Sequence, residues 1–437
     1  MKTFEFRTLG CKVNQYESQA LREKLLGLGF GESQGTNADI YIVNTCAVTQ
    51  KAEADSIKII RRLSHYKPGA QIFVTGCALQ NNPDKLRQIN GVTGVLDNRQ
   101  KEGLRAAARI SKFHQHARAF LKIQDGCNNG CSYCIIPKLR GASRSRALLE
   151  IVEEARNLAD NGYKEIVLCG ICLGAYGKDS GSAAGLVKVI EELEKIEGLG
   201  RIRLSSIEAS DVSCELVNKM RNSKKLCRHL HIPFQSGDDN ILKLMKRKTT
   251  TDDYRKLVFG LRRSFADIGI TTDIMVGFPG EDEISFKRTI QFLKEIRPSR
   301  THIFPFSPRQ HTPAFGFDSR VNPRALKVRV RQIKALAKEL SFDFCRTNLG
   351  KTLDVLLESS PEAKTGLYPV RDYRVTGKKK EVSNGVYKGY SGNYLKVFLS
   401  RPCVQGRDLS NAENLINTIV EVKAIRIFRD GIFAEPL

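Results

Sequence analysis

The chain has 437 residues, 41% of them hydrophobic, and carries 71 Lys and Arg against 47 Asp and Glu, a formal net charge of +24. That length exceeds one typical core and suggests roughly three domains, while the charge argues against a merely basic soluble enzyme and for a polyanionic partner, nucleic acid first. The opening Met1-Lys-Thr-Phe-Glu-Phe-Arg has no apolar signal run and no stretch approaches the ~20 apolar residues of a membrane span, so a cytoplasmic protein without membrane contact is expected. Its twelve cysteines are then ligands, reactive groups or small core residues rather than disulfides.

The first third alternates strand and helix. Residues 4–9 read as extended, residues 17–28 have helical spacing (Leu21, Leu25, Leu28), and Asp39 to Asn44 is a buried-strand run. A helix over 52–63 and a third buried strand over 70–75 complete a doubly wound α/β domain spanning residues 1–113. Each of these three strands runs into a cysteine: Cys11, Cys46 and Cys77. In an open parallel sheet the carboxyl ends of the strands share one edge, where ligands bind, so three thiols remote in sequence can meet there. Either they form a metallocluster site or each is a small buried residue after a strand.

From Arg118 the alternation restarts. A strand over 120–124 leads into Gly126-Cys127-Asn-Asn-Gly-Cys131-Ser-Tyr-Cys134, whose three thiols converge on one cubane cluster only if the backbone loops tightly. Three thiolates on four irons leave one iron open to chelate an amine and a carboxylate. The alternatives are a zinc site, for which no fourth Cys or His follows at short spacing, and an unliganded loop. A helix over 148–159 with one apolar face follows, then strands over 165–168, 201–205, 228–234, 270–276 and 301–306. This pattern predicts a partial parallel β/α barrel, open on one side, over residues 114–342, with its reactive face at the carboxyl ends of the strands. Gly170, Ser206, Glu208, Gln235 and Asp273 lie on or near those ends and are expected to line a cofactor pocket. A glycine or serine at one βα corner is more simply a turn or a cap, but six such corners share the face that carries Cys127.

Asn322-Pro323 starts a helix with an apolar stripe of Leu326, Val330, Ile333, Ala337 and Leu340, leaving Lys327, Arg329, Arg331, Lys334 and Lys338 to the remaining surface. Between Arg297 and Lys351 there are twelve Lys or Arg against Asp318, Glu339 and Asp343, a surface suited to RNA. Residues 343–437 change to short strands over 352–357, 367–375, 386–390, 393–399 and 419–428, which predict a small OB-like β-barrel. Arg371, Arg374, Lys378, Lys379 and Lys380 are its expected RNA contacts. Tyr368, Tyr373, Tyr387, Tyr390 and Tyr394 among them either stack on unpaired bases or fill so small a core.

The cysteine loop resembles the signature of radical S-adenosylmethionine (SAM) enzymes, in which SAM chelates the open iron of a 4Fe-4S cluster. Across essentially the whole chain the likeness extends to the radical SAM methylthiotransferases. It is carried by Thr8-Leu-Gly-Cys11-Lys-Val-Asn14, Asn44-Thr-Cys46-Ala-Val-Thr49, Thr75-Gly-Cys77-Ala78, Cys134-Ile-Ile-Pro137 with Arg140-Gly141, Arg203-Leu-Ser-Ser-Ile-Glu208 and His231-Ile-Pro-Phe-Gln-Ser-Gly237. The resemblance implies two 4Fe-4S clusters, one on Cys127, Cys131 and Cys134 and a sulfur-donating one on Cys11, Cys46 and Cys77, and a C-terminal TRAM domain that binds RNA. It also implies two uses of SAM, one to methylate the bound sulfur and one cleaved reductively, with an external electron donor, to a 5′-deoxyadenosyl radical. Arg203 to Glu208, Gly174-Ala-Tyr-Gly177 and Met275-Val-Gly-Phe-Pro279 are similar to the members that methylthiolate carbon 2 of N6-threonylcarbamoyladenosine beside the tRNA anticodon. Isopentenyladenosine in tRNA, or an aspartate of a ribosomal protein, is the alternative substrate within the family. A noncatalytic iron-sulfur, RNA-binding redox sensor is the alternative of another class.

The chain departs from that family's pattern at Cys169-Gly-Ile-Cys172, at the end of the second barrel strand. The pair is either a sulfur relay beside the cavity or two small residues at a βα corner. Cys214, Cys227, Cys345 and Cys403 have no partner pattern and read as packing residues.

Overall fold

The computed structural model describes residues 1–33, 37–98, 100–101, 110–113, 116–179, 185–359, 386–399 and 415–437. Arg371, Arg374, Lys378, Lys379, Lys380, Tyr368, Tyr373, Cys403 and the strand expected over 367–375 lie outside them.

The N-terminal strands are β1 (Thr3–Thr8), β2 (Gly31–Glu32), β3 (Ile40–Thr45), β4 (Gln71–Gly76) and β5 (Val92–Leu96). They form one parallel sheet in the order β2-β1-β3-β4-β5. All six residues of β3 are buried, as a strand covered on both faces requires. The first helix, Lys12–Gly27, starts five residues before the expected position, directly after Cys11, whose side chain caps nothing. Thr49 caps the next, Gln50–Tyr66, by accepting the Ala52 N–H at 3.1 Å.

The chain then builds β6 (Ala119–Lys122), a short β7 (Gln124–Asp125) paired with β8 (Arg144–Ser145), β9 (Glu165–Cys169), β10 (Arg201–Leu204), β11 (His229–His231), β12 (Gly269–Val276) and β13 (Arg300–Pro305). Two parallel three-stranded sheets, β10-β9-β6 and β11-β12-β13, are joined through the isolated bridges Ile202–Leu226 and Ser206–His231. The result is an arc of six strands open between β6 and β13, as the alternation predicts. Its helices lay apolar faces on the arc; in Leu148–Asp160 these are Ile151, Ala155, Leu158 and Ala159. Glu154 shares that face, buried because it pairs with Arg146 at 2.8 Å and accepts the Tyr16 hydroxyl at 3.0 Å.

The long helix Pro323–Thr347 packs on β13. Its buried side is Ile333, Leu336 and Leu340 together with Arg329, which corrects two expectations. Leu336, not Ala337, completes the stripe. Arg329 is not part of a basic surface: its guanidinium reaches the Glu281 carboxylate at 2.8 Å with 9% of the side chain exposed. Arg309 is likewise withdrawn into a pair with Glu53 of the N-terminal domain, so part of the local excess of cations holds the fold together. Lys327, Arg331, Lys334 and Lys338 do face solvent.

At the C-terminus β14 (Thr352–Ser359), β15 (Tyr387–Ser391), β16 (Lys396–Leu399), β17 (Ile419–Phe428) and β18 (Gly431–Pro436) close a barrel in the order β14-β15-β16-β18-β17. β18 lies beyond the strands the pattern predicts. This barrel docks on the floor of the arc, at the amino-terminal ends of its strands. Asn393 Nδ2 donates to Asp267 O at 3.0 Å just before β12, Arg201 donates to Tyr390 O at 3.2 Å, and Asn417 Nδ2 donates to Gly162 O at 2.7 Å. Tyr387 fills the small barrel's core. Tyr390 and Tyr394 stack on each other at 4.9 Å under Arg118 and Arg203, so in this interface they do not serve as open platforms for nucleobases. Among the described residues no helix is long and apolar enough to cross a membrane.

Candidate two-cluster site

Cys11, Cys46 and Cys77 follow β1, β3 and β4, which are neighbours in register, Thr8 opposite Asn44 and Asn44 opposite Thr75. The structure brings the three thiols together at one sheet edge. A Cβ on Gly10, at φ +98°, would lie 2.9 Å from Cys46 Sγ, so glycine is needed both for the turn and for the approach of the two loops. Asn14 locks them: its Nδ2 donates to Leu9 O at 2.9 Å and to Thr45 O at 3.0 Å. Burial pushes the Cys46 thiol up to about 11 and raises Cys77, while the Arg140 guanidinium pulls both down. Without a metal these thiols stay protonated at neutral pH; thiolates there need a bound cation.

The second loop is held in the tight course its glycines and asparagines promise. Cys127 N donates to Gly141 O at 3.1 Å, Cys134 N to Cys131 O at 3.1 Å, and Ser132 N to Met245 O at 3.0 Å. Gln124 braces it from beneath, donating to Asp125 O and Gly126 O at 2.8 Å each and accepting the Cys172 N–H at 2.9 Å. Burial raises Cys134 to about 12, with Cys131 and Cys127 adding to the rise. In neither triad do all three sulfurs lie within 4.8 Å of one another, the spacing at which one ion takes three ligands; among the described residues only His231, Asp273 and His302 meet it. A cube of four irons holds its thiolates farther apart than one tetrahedral ion does, so neither donor set is arranged for a single zinc ion and three thiols each remain available to a cluster.

Gly126 sits at φ +69°, and a Cβ there would fall 2.0 Å from Ala142 O. Gly126→Ala is therefore expected to lose the iron held by the Cys127 triad while keeping that of the Cys11 triad, read as iron per chain after anaerobic reconstitution. Full loading would show that the loop absorbs the shift.

The expected cofactor residues divide. Glu208 reaches the loop through Arg247, whose Nη1 donates to Glu208 Oε1 at 2.9 Å and lies 3.8 Å from Cys131 Sγ, while Nη2 pairs with the other carboxylate oxygen. Gly170 lies against Gln124, where a Cβ would stand 2.8 Å from Oε1. Ser206 bridges to His231, and Gln235, at φ +68°, bridges to Ile274. Asp273 is engaged by two imidazoles, His231 Nε2 at 3.3 Å and His302 Nδ1 at 3.2 Å, which hold its carboxyl well below the usual range against the opposing effect of burial. Sequence reasoning missed Arg247, which reads as one more cation in Lys246-Arg247-Lys248, and His302, on a strand with no motif. Cys172 lies beside the loop: Asn129 Nδ2 is 3.8 Å from its sulfur. A hydrogen bond from the Cys172 thiol brings Cys127 down to about 7. Cys169, by contrast, is fully buried, and burial drives its thiol far up, the behaviour of a packing residue.

A six-stranded βα arc whose first strand runs into a CxxxCxxC loop is the architecture of radical SAM enzymes, and residues 121–293 match the model of the Radical SAM superfamily. Residues 3–97 match a second model, described as Uncharacterized protein family UPF0004. A Bacillus subtilis protein named threonylcarbamoyladenosine tRNA methylthiotransferase MtaB is 35% identical over 98% of this chain and 94% of its own length. Its namesake from Thermotoga maritima is 38% identical over 82% of this chain and 87% of its own. An Acetivibrio thermocellus tRNA-2-methylthio-N(6)-dimethylallyladenosine synthase is 33% identical over 85% and 83%. The chain belongs to the radical SAM methylthiotransferases, enzymes that use SAM and 4Fe-4S clusters. Among solved structures, the radical SAM methyltransferase TsrM of Kitasatospora setae, with tryptophan and a SAM analogue bound, superposes with a TM-score of 0.55 at 14% identity, covering 72% of this chain and 75% of that one. That likeness speaks for the fold alone.

Proposed function

We propose that this enzyme methylthiolates carbon 2 of N6-threonylcarbamoyladenosine next to the anticodon of tRNA. The observation that carries the reading is the pairing of two cysteine triads, each following strands of a parallel sheet, whose supporting backbones are linked through Arg140 and Gly141. Cys11, Cys46 and Cys77 would hold the sulfur-donating cluster, and Cys127, Cys131 and Cys134 the one at which SAM is cleaved. When bound, these groups supply radical chemistry able to activate a C–H bond that no acid, base or nucleophile attacks.

The chain's own residues place and shield. Arg247 sets a cation beside Cys131, and Glu208 fixes it by a two-point ion pair. Such bidentate geometry orients a guanidinium more firmly than a single contact. Gly170, Ser206, Gln235 and Asp273 are proposed to line the SAM pocket with Glu208. The tRNA is drawn by the net charge of +24, aided by Arg371, Arg374, Lys378, Lys379 and Lys380 and by the exposed cations of the long helix. An anticodon loop suits the chemistry because its unpaired bases are splayed into a pocket at modest cost. An external reductant delivers the electrons.

Relatives named for dimethylallyladenosine keep a second substrate in view. Reconstituted enzyme, SAM, a sulfide source and dithionite are to be incubated with unmodified-at-C2 tRNA bearing either adenosine derivative, and the nucleosides read by mass spectrometry. The methylthio product on the threonylcarbamoyl derivative is expected; product only on the isopentenyl derivative would reassign the substrate, and none on either, with deoxyadenosine formed, would point to a protein acceptor.

A further inference from the structure

Arg140 stands outside both cysteine motifs, on the short helix Ile136–Arg140 that leaves the Cys134 loop. Its side chain is 2% exposed. Nη2 donates to Asn14 Oδ1 at 2.7 Å, and Nη1 donates to Glu17 Oε1 at 2.9 Å and Asp125 Oδ1 at 3.0 Å. Asn14 is the residue whose amide ties the turn before Cys11 to the turn before Cys46. On the other side, the carbonyl of Gly141 accepts the Cys127 N–H. One segment of the chain thus touches the backbone scaffolds of both triads.

Among the described residues the buried charges around it do not cancel: Lys101 and Lys122 join Arg140 as cations, and Glu17 and Asp125 are the anions, three positive against two negative. Beyond them, Asn14 links Arg140 to the turns that carry Cys11 and Cys46. Arg140 Nε, buried, has no hydrogen-bond partner among the described residues. Buried donors are normally paired, and a thiolate or cluster sulfide would supply the acceptor missing among the described residues. Three thiolates on a dicationic cube leave a net negative charge, which the surplus cation matches.

We infer that Arg140 is a positioning residue for the N-terminal cluster, holding its two cysteine turns in ligating geometry through Asn14 and raising the cluster's reduction potential with its buried charge. The direction follows from electrostatics: reduction adds negative charge, and a nearby cation favours it. The inference rests on the reading of Cys11, Cys46 and Cys77 as cluster ligands, and the test separates the two.

The full chain carrying Ala at Cys127, Cys131 and Cys134 leaves only the N-terminal set. If it binds no iron after anaerobic reconstitution, the cluster reading itself fails. If it does, redox titration followed by electron paramagnetic resonance is run on Arg140→Gln, Arg140→Lys and Glu17→Gln in that background. R140Q is expected to shift the midpoint negative, R140K to keep it near the parent while binding less iron because lysine cannot bridge Asn14, Glu17 and Asp125 together, and E17Q to shift it positive. The opposite sign of E17Q keeps the test decisive should R140Q misfold. Midpoints unmoved in the folded variants, or moved in the same direction by R140Q and E17Q, would overturn the inference.

Discussion

Cys46→Ala is expected to abolish the methylthio nucleoside while leaving reductive cleavage of SAM to 5′-deoxyadenosine measurable; Cys131→Ala is expected to abolish both. The asymmetry follows from where the two residues sit. Cys46 closes β3 of the N-terminal sheet and is 5% exposed, whereas Cys131 lies in the loop after the first barrel strands, beside Arg247. Truncating a buried Cys to Ala removes one sulfur and leaves a small void, on the order of 1 kcal/mol, too little to unfold a protein with cores of this size. A ligand loss should cost more than the ten- to hundredfold typical of residues that only support a metal site, so a drop in product of more than about a hundredfold is the expected reading. Mass spectrometry of nucleosides and chromatography of deoxyadenosine on the same reaction provide both readouts. Methylthio product from either variant would remove the mechanism, and loss of deoxyadenosine in C46A would mean that the two triads do not act independently.

The largest stability effect is expected at Arg203. This residue belongs to the Arg203-Leu-Ser-Ser-Ile-Glu208 stretch by which the chain resembles its family, yet the structure turns it away from the cluster face. It is 2% exposed, donates to Glu165 Oε1 at 2.6 Å and Oε2 at 3.3 Å, and reaches the carbonyls of Ser391 and Gly392 at 3.0 Å each in the C-terminal barrel. Tyr394 covers it at 5.0 Å. Arg203→Ala strips the main partner from a carboxylate with no exposure. Breaking a buried pair costs about 3–5 kcal/mol; Arg201 at 3.6 Å and Arg118 at 3.9 Å still face Glu165, so the lower end, about 3 kcal/mol, is expected. The measurement is the urea midpoint of the apo protein with the double variant E165Q/R203M beside it. Recovery in the double variant would assign the loss to the stranded charge; an R203A midpoint equal to the parent would show that the interface does not depend on this pair.

How much of this was legible beforehand varies with the range of the interaction. The alternation of buried strands and amphipathic helices is local, and it placed β1, β3, β4 and the six arc strands within a few residues of their observed bounds. Three cysteines after three such strands were legible as able to meet, though not as a cluster site, because parallel topology puts carboxyl ends on a shared edge whatever the loops between them do. The first helix begins five residues ahead of its apolar spacing because Gly10, at φ +98°, turns the chain from β1 almost directly into it. The strand β18 escaped notice because Gly431 to Pro436 is short and ends in a proline.

Arginine marks the boundary most clearly. Arg140, Arg203, Arg247, Arg309 and Arg329 carry the same letter as the exposed cations of the long helix, and together they inflated the surface charge read from composition. Which of them is buried depends on Glu17, Glu165, Glu208, Glu53 and Glu281, residues up to 256 positions away. Tyr390 and Tyr394 are a similar case: open to either stacking on bases or filling a core by their pattern, they lie under Arg118 and Arg203 at the domain interface. The sequence by itself determined the class of architecture and where the two sets of three cysteines fall along it, because periodicity and spacing act through covalent neighbours, while the chemistry proposed for them came from likeness to a family. Only the tertiary structure decided how the two sites are braced together, where the small barrel docks and which charges are spent inside. A long-range ion pair forms only where folding has removed water from both partners, and no local pattern records that event.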